Sequence, residues 1–243
     1  MQSWGLSDAG CVRTQNQDAM RMETLDRHSM LCVVCDGMGG AKSGNVASSL
    51  AIDVFVQEVR RSYKSGMTAE QAGQMLCSAV KLANFTVYDQ AQQFDDFRGM
   101  GTTLVAAWVE ENHAAIVNVG DSRAYLLNQE GVQCVTTDHS LVQLMVQRGE
   151  LTQEQAKRYP GKNFITRAIG TEPIVECDLF QLELEKGDCI LLCTDGLSNL
   201  MDDQEILFEV VHGVNKQLCC RRLIDIAKSR GAPDNVTSVL IVV

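Results

Sequence analysis

Proline is scarce in this chain, three among 243 residues, and no stretch rich in serine and glycine or in charge of one sign interrupts it. A linker of the usual composition is therefore missing, no internal repeat is visible, and a single domain spanning residues 1–243 is expected. Long apolar runs are missing too: the longest fall far short of the roughly 20 residues that a membrane helix needs. The N-terminal MQSWGLSDAG has no basic-then-apolar pattern, so neither membrane insertion nor export is expected, and the expected location is the cytoplasm. Positive charge is in deficit, 21 Lys and Arg against 31 Asp and Glu for a formal net charge of −10. That balance argues against nucleic acid as a partner, because backbone binding draws on an excess of cations. A hydrophobic share of 45% with 21% charged residues fits a folded globular chain and not a disordered one.

Cysteine is plentiful, ten residues, but a zinc or disulfide framework is not expected. Cys32, Cys35, Cys189 and Cys193 fall inside apolar, strand-like runs, where a reduced thiol behaves as a small hydrophobe. Cys32 and Cys35 match CxxC in number only, since residues three apart on a strand face opposite sides. All ten are expected reduced.

The pattern of elements predicts an α+β fold. Residues 30–35 read as a strand buried on both faces, followed by a helix from Ser43 and a second helix opened by a Thr68/Gln71 capping box. Residues 103–109, 114–119, 124–127 and 132–136 are short and strand-like, and are expected to form an antiparallel meander. A helix over 140–148 stopped by Gly149, and a short one capped by Thr152 and Gln155, come next. Strands at 180–184 and 189–194, helices at 203–212 and 217–230, and a last strand at 237–243 complete the chain. Such segregation favours layered antiparallel sheets flanked by helices over a regularly alternating doubly wound sheet.

Four aspartates stand at strand ends, each followed by a small or polar residue: Asp36 in CVVCDGMGG, Asp121 in VGDSR, Asp195 in CTDGL and Asp234 in APDNV. A single Asp-Gly after a strand is ordinarily a plain turn, with glycine supplying positive φ. Four together point to a cation, because like charges gathered in one place otherwise repel. Hard oxygen ligands suit magnesium or manganese; these segments hold no histidine, their cysteines belong to the apolar strand runs, and no EF-hand loop is present. Near the N-terminus, Arg13, Asn16, Gln17 and Asp18 combine a phosphate-binding cation with amides and a carboxylate, although a surface ion pair beside an Asn-rich turn explains the segment equally well. The glycine-rich run from Gly37 to Gly44 fails the Walker A pattern, with Ala41 before Lys42, and fails G-x-G-x-x-G, so nucleotide binding is not expected. His139, between Asp138 and Ser140, reads more simply as part of a helix cap than as a catalytic base. Ser122 lacks the G-x-S-x-G elbow of a nucleophile.

Taken in order, Arg13-x-x-Asn16-Gln17-Asp18, Asp36-Gly37-Met38-Gly39-Gly40, Gly101-Thr102-Thr103, Gly120-Asp121-Ser122-Arg123, Asp138-His139-Ser140, Thr166-Arg167-Ala168-Ile169-Gly170, Thr194-Asp195-Gly196-Leu197 and Asp234-Asn235-Val236-Thr237 resemble the metal-dependent protein phosphatase family (PPM, or phosphatase 2C) in its short bacterial form. The resemblance runs from Arg13 to the final strand. It implies a four-layer α/β/β/α sandwich whose two antiparallel sheets meet at a binuclear Mn2+ or Mg2+ centre. Asp36 would bridge both ions, the Gly37 carbonyl would ligate one, Asp195 and Asp234 the other, and Asp121 with Asp195 a third, weaker ion. Arg13 would grip the substrate phosphate and Asp18 would orient the attacking water, with Gln17 and Asn235 supporting the ligands from behind. The implied reaction is hydrolysis of phosphoserine or phosphothreonine in proteins by a water activated at the two ions, opposing a bacterial Ser/Thr kinase. A small-phosphoester hydrolase and a non-catalytic phosphoprotein-binding domain are the rival readings.

Two positions depart from the family pattern. Met38 stands where eukaryotic members commonly have a histidine, a proposed general acid, and Gln17 stands where an acidic residue often precedes the first aspartate. Residues 141–162 fall where the family has a mobile flap beside the site, and their helix, Gly149 and capped helix suit a lid that governs substrate choice. With no heptad or broad apolar stripe, a monomer is expected.

Overall fold

A computed structural model describes residues 1–39 and 43–243 of the chain. Gly40, Ala41 and Lys42 of the glycine-rich turn lie outside the described residues, so the expectations attached to Gly40 and Lys42 stay with the sequence.

Two five-stranded antiparallel sheets form the centre. One has the order β1 (Gln2–Asp8), β12 (Val236–Val242), β11 (Cys189–Cys193), β8 (Arg123–Asn128), β9 (Gly131–Cys134); the other runs β10 (Asp178–Glu183), β7 (His113–Val119), β6 (Leu104–Glu110), β3 (Ser29–Cys35), β2 (Ala19–Thr24). A two-stranded ribbon of β4 (Gly37–Met38) and β5 (Gly101–Thr102) stands apart. The expected α+β class, with two antiparallel sheets between helices, is what the chain adopts.

Three apolar layers explain the stacking. Between the sheets lie Cys32, Val34, Val105, Ile116, Leu192 and Val239. The opposite face of the β3 sheet, with Leu31, Val33 and Cys35, is covered by α1 (Gly44–Ser62) and α2 (Ala69–Gln93) through Phe55, Val59, Leu76 and Val80. The outer face of the β11 sheet, with Leu191 and Cys193, is covered by Leu197 of α5 (Asp195–Ser198), Ile206 of α6 (Asp203–Leu207), and Leu223 and Ile224 of α7 (Cys219–Ser229). Cys32 and Cys35 therefore do face opposite layers, as strand geometry requires. The buried face of α1 is Ala47, Ala51, Phe55 and Val59, with Val46, Leu50 and Val54 partly buried beside it.

The central run of strands departs from the expected single meander. β6 and β7 form a hairpin in one sheet, and β8 and β9 form another in the second sheet. The switch falls at Gly120, whose φ of +112° is closed to most other residues and whose Cα is packed against Thr103. Strands β1 and β2 have no counterpart among the expected elements, because both are half-exposed edge strands with little alternation. The Thr68/Gln71 and Thr152/Gln155 capping boxes form as read, the second opening α4 (Gln153–Lys157) after α3 (Leu141–Gln147). No described helix is long and apolar enough to cross a membrane.

Candidate active site

The buried strand β3 delivers Asp36 to the end of its sheet, where the threonine pair of the β5–β6 junction fixes the backbone. Thr103 Oγ1 accepts from the Asp36 N–H at 2.9 Å, while the Thr103 N–H and the Thr102 hydroxyl donate to the Asp36 carbonyl at 2.9 and 2.8 Å. Thr103 Oγ1 also meets Ser122 Oγ at 2.7 Å, linking Asp36 to the turn that carries Asp121. The Gly101-Thr102-Thr103 motif thus ties two strand ends together without touching solvent. Behind Asp36, the Gly37 N–H donates to the Gln17 carbonyl at 3.2 Å, and a Cβ on Gly37 would collide with the Gly44 and Gln17 carbonyl oxygens. Only glycine fits there.

Asp18 is held from the other sheet. Its Oδ2 accepts from Thr194 Oγ1 at 2.9 Å and Thr237 Oγ1 at 2.6 Å, hydroxyls brought together because β11 and β12 pair side by side. Its Oδ1 is buried with no hydrogen-bond partner. Burial, only partly offset by these two hydroxyls and reinforced by the charges of Asp195 and Asp234, pushes the Asp18 carboxyl up to about 7.

Asp121 sits just past β7, 7% exposed, and its Oδ1 likewise has no hydrogen-bond partner. Burial and the Asp195 and Asp138 charges push it to about 8. Its backbone is set by His139, whose Nδ1 accepts from the Gly120 N–H at 3.0 Å. That tautomer carries its proton on Nε2, 3.2 Å from Asp178 Oδ2, while Arg167 Nη1 donates to Asp178 Oδ1 at 2.9 Å. His139, held below its ordinary range mainly by burial, is a strut behind Asp121. The Asp138 carboxylate goes instead to a two-pronged pairing with Arg123, Nε to Oδ1 at 2.9 Å and Nη2 to Oδ2 at 2.7 Å. Sequence reasoning named both residues without foreseeing this pairing; opposite charges in adjoining family motifs were the available signal.

Asp195 opens α5 directly after β11, accepting from the Asn199 amide at 2.9 Å through Oδ2. Its carboxyl is raised above the usual range by burial first and then by the Asp234 charge. Burial first, then the charges of Asp18, Asp195, Asp121 and Asp234, hold Asp36 well above the usual carboxylate range. Asp234 leads into β12 and pairs with Arg13, Nη2 to Oδ2 at 2.9 Å, on the exposed rim. Asn235 anchors the Arg13 loop, its amide donating to the Ala9 and Gln15 carbonyls at 3.1 and 3.0 Å and accepting from the Gln17 N–H at 2.8 Å.

The structure thus brings Asp18, Asp36, Asp121, Asp195 and Asp234 into one electrostatically coupled group at the ends of both sheets. Among the described residues, no three acidic, cysteine or histidine side chains close on a single point as a finished ligand shell. The group nevertheless suits hard cations that retain several waters and take one or two carboxylates each. Buried carboxylate oxygens without donors at Asp18 and Asp121, and like charges that raise one another's pKa, are what a divalent cation relieves.

Beside the group opens a cleft of about 1020 Å³, lined by Asp121, Asp195, Arg123 and Arg230 on one side and by Gln143, Lys157 and Lys162 of residues 141–162 on the other. Lys162 reaches across to Asn199 Oδ1 at 3.1 Å, the same side chain that donates to Asp195.

An α/β/β/α sandwich with coupled aspartates where its two sheets meet defines the class of metal-dependent phosphoester hydrolases that the sequence motifs suggested. Residues 12–222 match the family model described as Protein phosphatase 2C. The chain is 35% identical over 237 residues to the Serine/threonine phosphatase stp of Listeria monocytogenes, covering 97% of this chain and 93% of that one. The crystal structure of the Ser/Thr phosphatase Stp1 from Staphylococcus aureus superposes with a TM-score of 0.93 at 36% identity, covering all of this chain and 94% of the other. That of the PstP catalytic domain in complex with two manganese ions does so at 0.84 and 34% identity, covering 98% of this chain and 96% of the other. The chain belongs to the protein phosphatase 2C family and is a metal-dependent protein serine/threonine phosphatase.

Proposed function

We propose that the chain hydrolyses phosphoserine and phosphothreonine in proteins at a pair of divalent ions, manganese or magnesium, and opposes a Ser/Thr kinase in cytoplasmic signalling. It acts as a monomer, from one catalytic domain of residues 1–243 with residues 141–162 as its flap. The observation that carries this reading is the gathering of five aspartates, four of them with raised carboxyl pKa, from strand ends of both sheets.

Asp36 would be shared by the two ions, with the Gly37 carbonyl, Asp195 and Asp234 as their other protein ligands. Asp121 with Asp195 would hold a third ion more weakly. When bound, such ions lower the pKa of an attacking water towards neutrality and offset charge on the phosphoryl oxygens. Asp18, fixed through Oδ2 by two threonines, has Oδ1 to accept a proton of that water and orient it. Arg13 exchanges Asp234 for two oxygens of the substrate phosphate, a geometry that a guanidinium fork matches. Met38 carries no proton to give, so water or another group of the site protonates the leaving serine or threonine oxygen.

Assay of a phosphothreonine peptide and a generic phosphoester with manganese, with chelator, and in Asp195→Asn tests the proposal. Turnover is expected with manganese, none with chelator, and a loss beyond about 100-fold in the variant, more than changes behind a ligand usually cost. Metal-independent turnover would overturn the mechanism.

A further inference from the structure

Away from the aspartates, two cysteines a hundred positions apart in the chain meet. Cys77 lies on α2 and Cys177 immediately precedes β10, the edge strand of its sheet, and the Cys177 thiol donates to Cys77 Sγ at 3.1 Å. The meeting has a packing cause. One turn before Cys77, α2 carries Gly73, and a Cβ there would strike the Leu179 side chain at 2.6 Å. The bare helix surface lets β10 approach, and Cys177, two residues before Leu179, then falls against the next turn of the helix. Both thiols are partly exposed, unlike the buried Cys32, Cys35, Cys189, Cys193, Cys219 and Cys220. Among the described residues no third cysteine, histidine or carboxylate completes a metal shell around the pair, so two-sulfur chemistry is what the arrangement offers.

We propose that Cys77 and Cys177 are a reversible thiol–disulfide site that, on exposure to a hydroperoxide, closes into a covalent link between α2 and the start of β10. Cys77 is the attacking sulfur. The hydrogen bond from Cys177 is the main influence that lowers its thiol to about 7, burial works against it, and the Lys81 charge one turn along adds to the effect, while the same hydrogen bond raises Cys177. In the first step the Cys77 thiolate attacks a peroxide oxygen; an S–O bond forms, the O–O bond breaks, and hydroxide or alkoxide leaves. In the second the Cys177 sulfur attacks Cys77 Sγ; the S–S bond forms, the S–O bond breaks, and the departing hydroxide takes the Cys177 proton to leave as water. Two electrons pass from the sulfurs to the peroxide, and a dithiol reductant returns them.

The test treats the full chain with hydrogen peroxide near neutral pH, blocks free thiols with an alkylating agent and maps peptides without reduction. The expected result is a Cys77–Cys177 cross-linked peptide lighter by two hydrogens, with loss of two alkylatable thiols, both reversed by dithiothreitol. Cys177→Ser is expected to abolish the cross-link and leave a Cys77 sulfenic acid that a cyclic diketone probe labels; Cys11→Ser and Cys134→Ser are expected to leave the cross-link intact. Cys77 and Cys177 both remaining alkylatable while exposed Cys11 or Cys134 is consumed would overturn the proposal, as would a Cys177→Ser variant whose Cys77 takes no label. Phosphatase activity enters neither readout, so this outcome is independent of the mechanism proposed above.

Discussion

At the residue scale the site is a set of carboxylates made uncomfortable by one another and eased by well-placed hydroxyls. Without metal, burial foremost and then neighbouring carboxylates push Asp18 up to about 7 and Asp121 up to about 8 from 3.8, and chelator-treated protein is expected to show it. Between about pH 4 and 8 the folded chain then binds protons that the unfolded chain has released, so stability falls as pH rises through that window. His139, held below its ordinary 6.5, works the opposite way: below that pH the unfolded chain takes up a proton that the folded one refuses. With four raised carboxyls, Asp18, Asp36, Asp121 and Asp195, against the lowered His139 and Cys77, the urea midpoint of the chelated protein is expected to be lower at about pH 8 than at about pH 6, and Asp121→Asn is expected to narrow the difference. Thr237→Val removes one of the two hydroxyls on Asp18 Oδ2 and is expected to destabilise the chain by about 1–3 kcal/mol in the same assay. Arg13→Ala is expected to raise KM for a phosphopeptide roughly 10–100-fold, the worth of a charged hydrogen bond, with a smaller change in kcat. The aspartates themselves were legible because each follows or precedes an apolar run. Thr194 and Thr237 were not legible as partners of Asp18, since nothing in a threonine reveals what its hydroxyl faces until β11 and β12 are in register.

Elements with a strong local signal were readable: α2 with its capping box, the doubly buried β3, and the α3–Gly149–α4 segment with Gly149 at φ +74°. β1 escaped because its partner is the last strand, Gln2 lying opposite Val242, and no local period records a pairing across the whole chain. The division of the meander escaped for a related reason: a hairpin signal says which strands pair but not which sheet the pair joins. Within residues 141–162, Thr152→Ala removes the hydroxyl that accepts from the Gln155 N–H, one of the two hydrogen bonds of a box that opens a helix of only five residues. Losing about 1 kcal/mol there is expected to fray α4. Limited proteolysis at Lys157 and Arg158 should quicken, while turnover of a small phosphoester stays within about twofold and KM for a phosphoprotein rises.

For the whole molecule, the four-layer stack follows from three apolar interfaces, and the acidic surplus of the sequence is gathered most tightly at one end of the two sheets. Divalent cations that bind only the folded form are expected to raise the thermal midpoint progressively with concentration, by roughly 2.7 kcal/mol in stability at a hundred times the dissociation constant. Differential scanning calorimetry with and without manganese measures this, and the gain is expected to vanish in Asp36→Asn. The placement of the carboxylates has a mechanical side. Asp36 and Asp121 hang from one sheet, Asp195 and Asp234 from the other, and the layer between the sheets is largely apolar, with the hydroxyls of Thr194 and Thr237 on Asp18 as polar ties at this end. Ions gripped by both sets would rivet two plates at one corner, so sliding by the width of a side chain would pull the jaws of the site out of register. Catalytic alignment and resistance to shear would then be the same property, read once as turnover and once as slowed amide exchange in β3 and β11 together.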